Sequence, residues 1–385
     1  MKTIFKERLA RQERQSLLRK RNVIQAIEGN RICIDGKYGI DFSSNDYLGL
    51  RKYHKIADAF AESARKYGFG SGASALVSGY SDEHAKTEYL FSKWLGVDKT
   101  ILFNSGYSAN VGVMSALTGR SDIIFSDKFC HASILDGIAL SRAKHRRYQH
   151  CNLPHLNHLA QANPPNFIVT ESLFSMEGSL APMPALIQLA EQYQSGLIID
   201  DAHGIGILGE AGGGIVEHYG LNQNQFSCLV LPLGKAFNAM GAIVAGQADM
   251  IEAVFQFARS YRYTTSLPPA ICSTICVALE VIQKEHWRRQ QLMENIRFFI
   301  SYAASQGLVL ASIDETPIKP ILVFDNKKVL ALQNFLLAKG FYVSAIRPPT
   351  VPQNKARLRI SLNCLHKEDE MMQLIDCIIM GLKTC

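Results

Sequence analysis

The sequence has few charged residues and no long apolar run. Charged residues make up 19% of the 385-residue chain and hydrophobic residues 47%, against roughly 25% charged in an average domain. A chain of this length and composition can bury a large core, which excludes disorder, collagen and coiled coil as descriptions of the whole chain. No apolar run approaches the roughly 18 residues that span a bilayer. We therefore expect a globular protein that has no membrane partner.

The cysteines also lack the spacings that indicate a structural role. There are nine of them, and no Cys-x-x-Cys pair occurs. Cys272 and Cys276 lie four positions apart, with no nearby histidine or cysteine to complete a zinc site. This pattern predicts free thiols in a reducing cytoplasm and no metal site. The first residues are charged and include no apolar stretch, so we expect no secretory signal.

The net charge is concentrated at the start of the chain. Residues 1–22 contain eight basic and two acidic residues, which give +6 of the net +7. A basic run is usually a solvated amphipathic helix, and the alternative is an arm that binds an anionic partner. The segment has one aromatic residue, Phe5, and no nucleic-acid-binding signature, so we do not expect nucleic acid to be that partner.

Short β-rich runs alternate with helical patterns through the middle of the chain. Several of the runs are continuously apolar, as expected for strands buried on both faces. The alternation predicts a mostly parallel, seven-stranded α/β sheet with helices on both faces. The predicted strands are Ile101–Phe103, Ile123–Phe125, His145–Tyr148, Phe167–Thr170, Leu197–Asp200, Cys228–Leu231 and Ala242–Ala245.

The pattern changes after Pro268–Pro269. A long helical region, from about Ala270 to Ser305, precedes a smaller α+β pattern with strands at Pro320–Phe324, Tyr342–Ile346 and Arg357–Leu362. We divide the chain into a helical N-terminal arm over 1–45, a large α/β domain over 46–275 and a small α+β domain over 276–385.

A glycine-rich stretch follows the strand at Leu197–Asp200. Its glycines at 204, 206 and 209 match the spacing of a dinucleotide fingerprint. That motif must open a helix directly after its strand and needs an acidic residue about 20 positions further on. Here Asp200–His203 intervene, the next residues are too rich in glycine for a good helix, and Asn222–Gln225 are uncharged. A nicotinamide-dependent dehydrogenase is therefore a disfavoured interpretation.

Asp200 and Lys235 indicate a different cofactor. Asp200 ends a predicted strand, and open parallel sheets bind ligands at the carboxyl ends of their strands. The common role of such an aspartate is capping. Lys235 follows the next strand in an apolar, glycine-flanked setting, where desolvation suits a lysine to Schiff-base chemistry. An aspartate and a lysine at one edge of a sheet fit a pyridoxal phosphate site.

The segment Phe103–Asn110 adds a candidate anion site. It ends the first strand of the predicted sheet and opens a helix, so the backbone N–H groups of Gly106 and Tyr107 would face an anion at the helix N-terminus. An ordinary strand-to-helix turn is the alternative interpretation. Together with Asp200 and Lys235, the segment favours a pyridoxal phosphate enzyme.

Seven motifs, in order along nearly the whole chain, resemble those of the α-oxoamine synthases. These are fold type I pyridoxal phosphate enzymes that condense an amino acid with an acyl thioester. The motifs are SNDYLGL (Ser44–Leu50), GSGASALVSGYSDEH (Gly70–His84), FNSGYSAN (Phe103–Asn110), FCHAS (Phe129–Ser133), TESLFSMEG (Thr170–Gly178), DDAHG (Asp200–Gly204) and YTTSLPP (Tyr263–Pro269).

The resemblance implies a role for each matching cofactor residue. Lys235 would be the Schiff-base lysine, Asp200 would pair with the pyridine nitrogen, and His203 would bond the phenolic oxygen. His131 would stack on the ring and contact substrate. These four would be the catalytic residues. The remaining cofactor contacts would be Gly106, Tyr107 and Ser175, with Thr264 and Thr265 reaching the phosphate of the partner subunit in a homodimer.

The same resemblance implies a substrate site. Arg359 would hold the carboxylate of the amino acid, a task that suits a bidentate guanidinium, and Asn45 would assist it. Arg19 and Thr350 match positions that contact the acyl substrate. One position departs from the pattern: Pro232 stands where the family commonly has a threonine whose hydroxyl binds the phosphate. Since proline has neither a hydroxyl nor an N–H, we expect weaker cofactor binding or a substitute group.

The stretch Ala345–Arg359 is most similar to the branch of the family that joins L-alanine to a pimeloyl thioester in biotin biosynthesis. The implied activity is that of a pyridoxal-phosphate-dependent acyltransferase, with pimeloyl-CoA or a pimeloyl-acyl carrier protein as donor. The nearest alternative is another α-oxoamine synthase, such as glycine C-acetyltransferase. A noncatalytic binding subunit is disfavoured because Lys235, Asp200 and His203 are all present.

Overall fold

Two compact units make up the protein in a computed structural model that describes residues 2–384. The larger unit comprises Leu50–Phe174 and Leu180–Arg288, and the smaller unit comprises residues 2–49, Ser175–Ser179 and 289–384. The smaller unit therefore draws on both ends of the chain and on one short internal segment. The domain boundaries at 45 and 275 remain a prediction from the sequence.

The N-terminal segment is helical only in part, although an arm over 1–45 was expected to be helical. It contains α1 (Lys2–Arg14), β1 (Ile24–Glu28), β2 (Arg31–Ile34) and β3 (Lys37–Asp41). Asp35 and Gly36, with φ of 51° and 73°, join β2 to β3. An Asp-Gly pair between two short apolar runs is a hairpin signal, because both residues accept positive φ. The Asp35-Gly36 turn therefore favours a hairpin, and this part of the segment forms strands where a helix was expected.

The larger unit alternates helices and strands along the chain. Its elements are α2 (His54–Tyr67), α3 (Asp82–Leu95), β4 (Lys99–Phe103), α4 (Gly106–Leu117), β5 (Ile123–Asp127), α5 (Ala132–Ser141), β6 (Lys144–Tyr148), α6 (Leu153–Ala162), β7 (Phe167–Glu171), α7 (Met183–Gln192), β8 (Gly196–Asp200), α8 (Gly214–Tyr219), β9 (Cys228–Pro232), β10 (Ala242–Gly246), α9 (Ala248–Phe257), α10 (Arg259–Arg262) and α11 (Pro269–Lys284).

One mostly parallel sheet holds seven of these strands, in the order β4-β10-β9-β8-β7-β5-β6. Only β10 is antiparallel to its neighbours, β4 and β9, and the other pairs are parallel. All seven strands predicted from the sequence are confirmed. Since β10 runs opposite to both neighbours, β4 points the same way as the parallel strands.

Both faces of this sheet are buried. On one face Ile198 and Val230 join a core cluster with Val113 and Ile134 of the helices α4 and α5. Successive strand residues point to opposite faces, so Ile199 belongs to the other face, and it is also fully buried. The continuous apolar runs therefore form strands covered on both sides, as the sequence predicts.

The remaining elements belong mostly to the smaller unit. They are α12 (Trp287–Ser305), β11 (Ile318–Phe324), α13 (Asn326–Ala338), β12 (Phe341–Tyr342), β13 (Ser344–Ile346), β14 (Ala356–Ser361) and α14 (Glu368–Thr384). They contribute to two small sheets, with strand orders β1-β2-β3-β12 and β11-β14-β13. Two of the strands predicted for the C-terminal part correspond to β11 and β14, whereas the one predicted over Tyr342–Ile346 is divided into β12 and β13, which belong to different sheets. Within residues 2–384, no helix has the length and apolar character needed to cross a membrane.

Candidate active site

The carboxyl edge of the seven-stranded sheet brings together several of the residues that the sequence predicts for the site. Because β4, β5, β8 and β9 point the same way, their carboxyl ends share one edge. Asp200 is the last residue of β8, and Lys235 follows β9 by three residues. Gly106 begins the helix after β4, and His131 precedes the helix after β5. Four predicted site residues thus lie at the edge where parallel sheets bind ligands.

Asp200 is held by hydrogen bonds to both of its carboxylate oxygens. Its Oδ1 accepts from the backbone N–H of Ala202 at 3.0 Å, and its Oδ2 accepts from Nδ2 of Asn110 at 2.6 Å. The side chain is 5% exposed, so it is fixed in position at the sheet edge. His203 follows three residues later and is also buried.

His131 caps the helix α5. Its Nδ1 accepts from the backbone N–H of Ser133 at 3.2 Å and lies 2.7 Å from the hydroxyl of Ser133. Desolvation lowers the pKa of His131; the charge of Asp200 opposes this shift, and the nearby charge of Lys235 adds to it. The ring is therefore held neutral and lies close to both Asp200 and Lys235, which brings three of the predicted catalytic residues together.

The N-terminus of α4 offers free backbone donors. Ser105 caps it, with a hydroxyl that accepts from the N–H of Ser108 at 3.1 Å. The N–H groups of Gly106 and Tyr107, in the first turn, have no acceptor in the described part of the chain. A Cβ on Gly106 would lie 2.5 Å from Cγ of Pro232, so only glycine allows β9 to approach this turn. Such a helix terminus suits a phosphate group.

These observations fit pyridoxal 5′-phosphate. The first turn of α4 supplies N–H donors for a phosphate, Asp200 supplies a buried carboxylate for the ring nitrogen, and Lys235 supplies an amine at the same edge. Within the described residues, Oδ1 of Asn110 is buried there without a hydrogen-bond partner. Together these groups match a cofactor that carries a phosphate and a ring nitrogen and that binds covalently to a lysine.

Thr264 and Thr265 belong to the segment that follows α10 in the larger unit. Thr264 lines a small internal cavity together with Tyr80 and Glu88. Thr265 is exposed, and its backbone carbonyl accepts from Nδ2 of Asn104. Asn104 directly follows β4, so both threonines lie near the carboxyl end of this strand. Their role at a partner's phosphate remains a prediction.

The glycine-rich stretch after β8 wraps around a buried carboxylate. Asp201 accepts from the N–H of Ile215 at 2.8 Å and from the hydroxyl of Ser172. A Cβ on Gly214 would lie 2.0 Å from Oδ2 of Asp201. Burial raises the pKa of Asp201 to about 7. The glycines therefore surround Asp201, and the helix α8 begins only at Gly214. Since no helix opens directly after β8, the structure argues against a dinucleotide-binding fingerprint here.

The smaller unit builds a cationic site around Arg359. This residue of β14 is 4% exposed, and it donates to the carbonyl of Ser175 at 2.6 Å and to Oδ1 of Asn45 at 3.0 Å. Tyr47 also donates to Asn45, at 3.2 Å. Within residues 2–384, Arg359 forms no ion pair. A buried guanidinium without a protein carboxylate is suited to a carboxylate ligand, and three predicted residues meet here.

Arg19 and Thr350 also meet in the smaller unit. Nη2 of Arg19 donates to the hydroxyl of Thr350 at 3.1 Å. Both residues line a cavity of about 640 Å³, whose walls include Ile24 and Leu330. Arg347 lines the same cavity, and desolvation together with the charge of Arg19 lowers its pKa. The lining combines cationic and apolar side chains, which suits an acyl chain that carries negative charge.

One further polar cluster is explained by the fold. The ligating atoms of Asp127, His150 and Cys151 lie within 4.8 Å of one another. Asp127 already accepts from the N–H groups of Phe129 and Cys151, both at 2.8 Å, and pairs with His150 at 3.1 Å. These bonds tie the loop after β5 to the loop after β6, and we assign no metal to the cluster.

Two kinds of comparison identify the family. The profile described as aminotransferase class I and II matches residues 37–378. The 8-amino-7-oxononanoate synthase of Nitrosococcus oceani is 42% identical over 96% of this chain and 99% of its own length. That of Pseudomonas aeruginosa is 42% identical over 96% of this chain and 92% of its own length. The chain belongs to the 8-amino-7-oxononanoate synthase family. The resemblance to the α-oxoamine synthases is thereby confirmed, and pyridoxal phosphate is the cofactor.

Solved structures agree with this family. The 8-amino-7-oxononanoate synthase of Francisella tularensis superimposes with a TM-score of 0.81 at 35% identity, over 90% of this chain and 98% of that one. Serine palmitoyltransferase of S. paucimobilis, solved with pyridoxal phosphate bound, reaches a TM-score of 0.93 at 25% identity, over 99% and 98% of the two chains. The fold is that of the fold type I pyridoxal phosphate transferases.

Sequence reasoning missed several residues of the site in this member of the 8-amino-7-oxononanoate synthase family. Asn110 and Ser133 support Asp200 and His131, and Tyr47 and Ser361 support Asn45 and Arg359. Asn110 and Ser133 are the last residues of two quoted motifs, FNSGYSAN and FCHAS. Their membership of these motifs was the available sequence signal, and it does not identify their hydrogen-bond partners.

Proposed function

We propose that this protein catalyses the decarboxylative condensation of L-alanine with a pimeloyl thioester in biotin biosynthesis. The products are 8-amino-7-oxononanoate, carbon dioxide and the free thiol. The observation that carries the proposal is the 42% identity, over 96% of the chain, to relatives named 8-amino-7-oxononanoate synthase. The eight free cysteines in the described part of the chain accord with action in the cytoplasm.

The residues at the sheet edge would hold the cofactor. Lys235 binds it covalently, Asp200 pairs with its ring nitrogen, and His203 bonds its phenolic oxygen. The N–H groups of Gly106 and Tyr107 bind its phosphate, since they have no other acceptor in the described structure. Ser175 completes the contacts. When bound, pyridoxal phosphate draws electrons away from Cα of the amino acid and so stabilises the negative charge that develops there.

The chain's own side chains would bind alanine and move its proton. Arg359 binds the carboxylate through its guanidinium, which Asn45 holds at 3.0 Å. The amine of Lys235, once free, takes the proton from Cα as general base. His131, whose Nδ1 accepts from Ser133, presents Nε2–H to the substrate. A new bond then joins Cα to the acyl carbon as the thiolate leaves and takes a proton from solvent. The alanine carboxylate is lost as carbon dioxide, and the amine of Lys235 returns a proton to Cα.

The acyl donor would bind at Arg19 and Thr350. The lining of their cavity includes cationic side chains for an anion and apolar side chains for a methylene chain. Both pimeloyl-CoA and a pimeloyl-acyl carrier protein carry negative charge, and the proposal leaves the carrier open between them. The second candidate function is that of another α-oxoamine synthase. The TM-score of 0.93 to serine palmitoyltransferase supports this alternative.

The working form would be a homodimer, with Thr264 and Thr265 at the phosphate of the partner subunit. Large apolar side chains are exposed in the larger unit, among them Phe69, Val77 and Tyr263, at 91%, 79% and 66%. A subunit interface of the proposed dimer would cover exposed side chains of this kind. Sedimentation equilibrium of the loaded protein should give twice the chain mass, and a monomer that retains full activity would refute the shared phosphate site.

Thiol release tests the proposed reaction. The loaded protein is assayed with alanine, glycine and serine against a short acyl-CoA, pimeloyl-CoA and a pimeloyl-carrier protein. We expect alanine with a pimeloyl donor to react fastest, and Lys235→Ala to abolish both turnover and the visible absorbance of the bound cofactor. Fast release with glycine and a short acyl-CoA, but not with alanine, would favour glycine C-acetyltransferase activity.

A further inference from the structure

We propose that Asn110 is a positioning residue that links Asp200 to His131 through Ser133 and thereby orients both. The inference rests on the proposed function for the roles of Asp200 and His131. Asn110 lies on the second turn of α4, Ser133 lies on the first turn of α5, and Asp200 ends β8. Three elements that are distant in sequence are therefore joined by one side chain.

The contacts form a continuous chain of hydrogen bonds. Nδ2 of Asn110 lies 2.6 Å from Oδ2 of Asp200 and 3.0 Å from Oγ of Ser133. The hydroxyl of Ser133 lies 2.7 Å from Nδ1 of His131. Asn110 is 1% exposed and Ser133 is fully buried. The two bonds of Asn110 are therefore shielded from solvent, and the bond from Ser133 to His131 is partly buried.

The orientation of the Asn110 amide follows from its neighbours. The carboxylate of Asp200 accepts only, so the amide must turn Nδ2, and not Oδ1, toward it. The two hydrogens of Nδ2 are then used by Asp200 and Ser133, and Oδ1 remains buried without a partner in the described structure. A buried polar atom without a partner is costly. The fold tolerates this cost at Asn110 in exchange for two donated bonds.

The direction of the bonds fixes the tautomer of His131. The N–H of Ser133 donates to Nδ1 at 3.2 Å, which requires that Nδ1 carry no proton. Because the Ser133 hydroxyl accepts from Asn110, its own hydrogen is free to point at Nδ1 as well. His131 is thereby held neutral with its proton on Nε2. Asn110 supports this arrangement by orienting the Ser133 hydroxyl, and it also donates to the carboxylate that pairs with the cofactor ring.

If Asn110 only stabilised the fold, its replacement would lower stability without a specific effect on Asp200 or His131. Replacement of Asn110 should loosen Asp200 and free the Ser133 hydroxyl, whatever it does to stability. Replacement of Ser133 should disturb only His131, since the bond from Asn110 to Asp200 stays. Asn295 is a matched control: it is 2% exposed, and its Nδ2 donates to two backbone carbonyls at 2.9 and 3.0 Å.

The test uses Asn110→Ala, Asn110→Asp, Ser133→Ala and Asn295→Ala. Cofactor affinity is measured by titration of the unloaded protein, and the His131 tautomer by nitrogen NMR of the same protein. We expect the Kd for pyridoxal phosphate to rise about tenfold in Asn110→Ala, by analogy with loss of a bond to a charged group. It should rise further in Asn110→Asp, which keeps the shape but faces Asp200 with a second carboxylate.

Ser133→Ala should shift the His131 nitrogen signals while the Kd stays within about twofold. Asn295→Ala should lower the unfolding midpoint without either change. Unchanged Kd and unchanged His131 signals in both Asn110 variants would overturn the proposal, as would equal Kd losses in Asn295→Ala. These readouts involve neither alanine nor an acyl donor, so failure of the proposed reaction would show separately, in the thiol-release assay of the unmodified enzyme.

Discussion

Arg357 and Arg359 show how two buried arginines on one strand take different roles. Both point to the same face of β14, two residues apart. Arg357 pairs with Glu177 at 3.1 Å, whereas Arg359 bonds only neutral oxygens and forms no ion pair in the described structure. The charge of Arg357 is neutralised within the protein, and the charge of Arg359 is available to a ligand.

We predict that Arg359→Lys raises the KM for alanine at least about tenfold, because an ammonium cannot make the bidentate bond of a guanidinium. The matched control is Arg357→Lys, which keeps a cation beside Glu177 and should leave this KM nearly unchanged. Steady-state kinetics over a range of alanine concentrations separate the two. Equal effects of both variants would contradict a substrate role for Arg359.

Pro232 is the second residue whose role can be tested alone. It ends β9 and lies against Gly106, at the first turn of α4. A threonine there would place its hydroxyl beside the N–H groups that we assign to the phosphate. Pro232→Thr should lower the Kd for pyridoxal phosphate about tenfold, the usual gain from a bond to a charged group. An unchanged Kd in the absorbance titration would mean that another group already replaces the hydroxyl.

The first turn of α4 depends on close approach to β9. A Cβ on Gly106 would meet Cγ and Cβ of Pro232 at 2.5 and 2.6 Å. Gly106→Ala should therefore displace the turn and weaken cofactor binding by more than about tenfold. Gly119→Ala, just beyond the other end of α4, is a control because its Cβ would meet nothing closer than 3.9 Å. Restored affinity in Gly106→Ala/Pro232→Gly would show that the clash is the cause.

The strands of the large sheet were predictable because burial on both faces leaves a strong pattern. Runs such as Phe167–Val169 are apolar at every position, as is typical of a strand covered on both faces. The hairpin of β2 and β3 was missed because its strands are short and half-exposed, and only Asp35-Gly36 marks the turn. The basic residues near the start of the chain indicated a helical arm, and the helix in the structure ends at Arg14.

The site was predictable where a residue type itself carries the chemistry, as with Lys235, Asp200 and Arg359. Asn110 was not, because an asparagine in a helix is ordinary until its partners are known. Its role depends on β8 and α5, which come about 90 and 23 residues later in the chain. Contacts of that separation are set by the topology of the sheet, and no local pattern records them.

The stability of the protein should depend on pH through a buried histidine. His366 is fully buried; its Nδ1 accepts from the N–H of Asn363 at 3.1 Å, its Nε2 bonds the carbonyl of Asp41 at 3.2 Å, and its ring stacks on Phe42. Desolvation lowers the pKa of His366 from 6.5 to about 3. The folded state thus holds the ring neutral, while the unfolded chain protonates it below about pH 6.5.

Because the pKa is lowered on folding, the stabilisation is present above the unfolded pKa and is lost as the pH falls toward 3. We predict that this one group makes the free energy of unfolding fall by about 1.4 kcal/mol per pH unit between about pH 6 and pH 4. Urea denaturation at several pH values measures this slope. His366→Asn should reduce it, whereas His158→Asn, at an exposed position, should not.

The distribution of charge over the molecule bears on the choice of acyl donor. Residues 1–22 carry +6 of the net +7. Their basic side chains from Lys6 to Arg21 are exposed, and none forms an ion pair in the described structure. Arg19 belongs to this segment and bonds Thr350 at the candidate donor cavity. An unpaired basic segment that continues into the donor cavity is placed to attract an acidic donor.

The KM for the pimeloyl donor should therefore rise with salt, because the Debye length shortens to about 10 Å at 0.1 M, while the KM for alanine should change little. Lys6→Glu/Arg11→Glu should raise the donor KM at low salt and flatten its salt dependence. Lys144→Glu/Arg146→Glu makes the same change of charge on the exposed edge strand β6 and should do neither. A carrier-protein donor should show a steeper dependence than CoA if protein surface charge is what the segment recognises. If both double variants behave alike, the effect belongs to net charge, and residues 1–22 are a solvated segment without a role in recruitment.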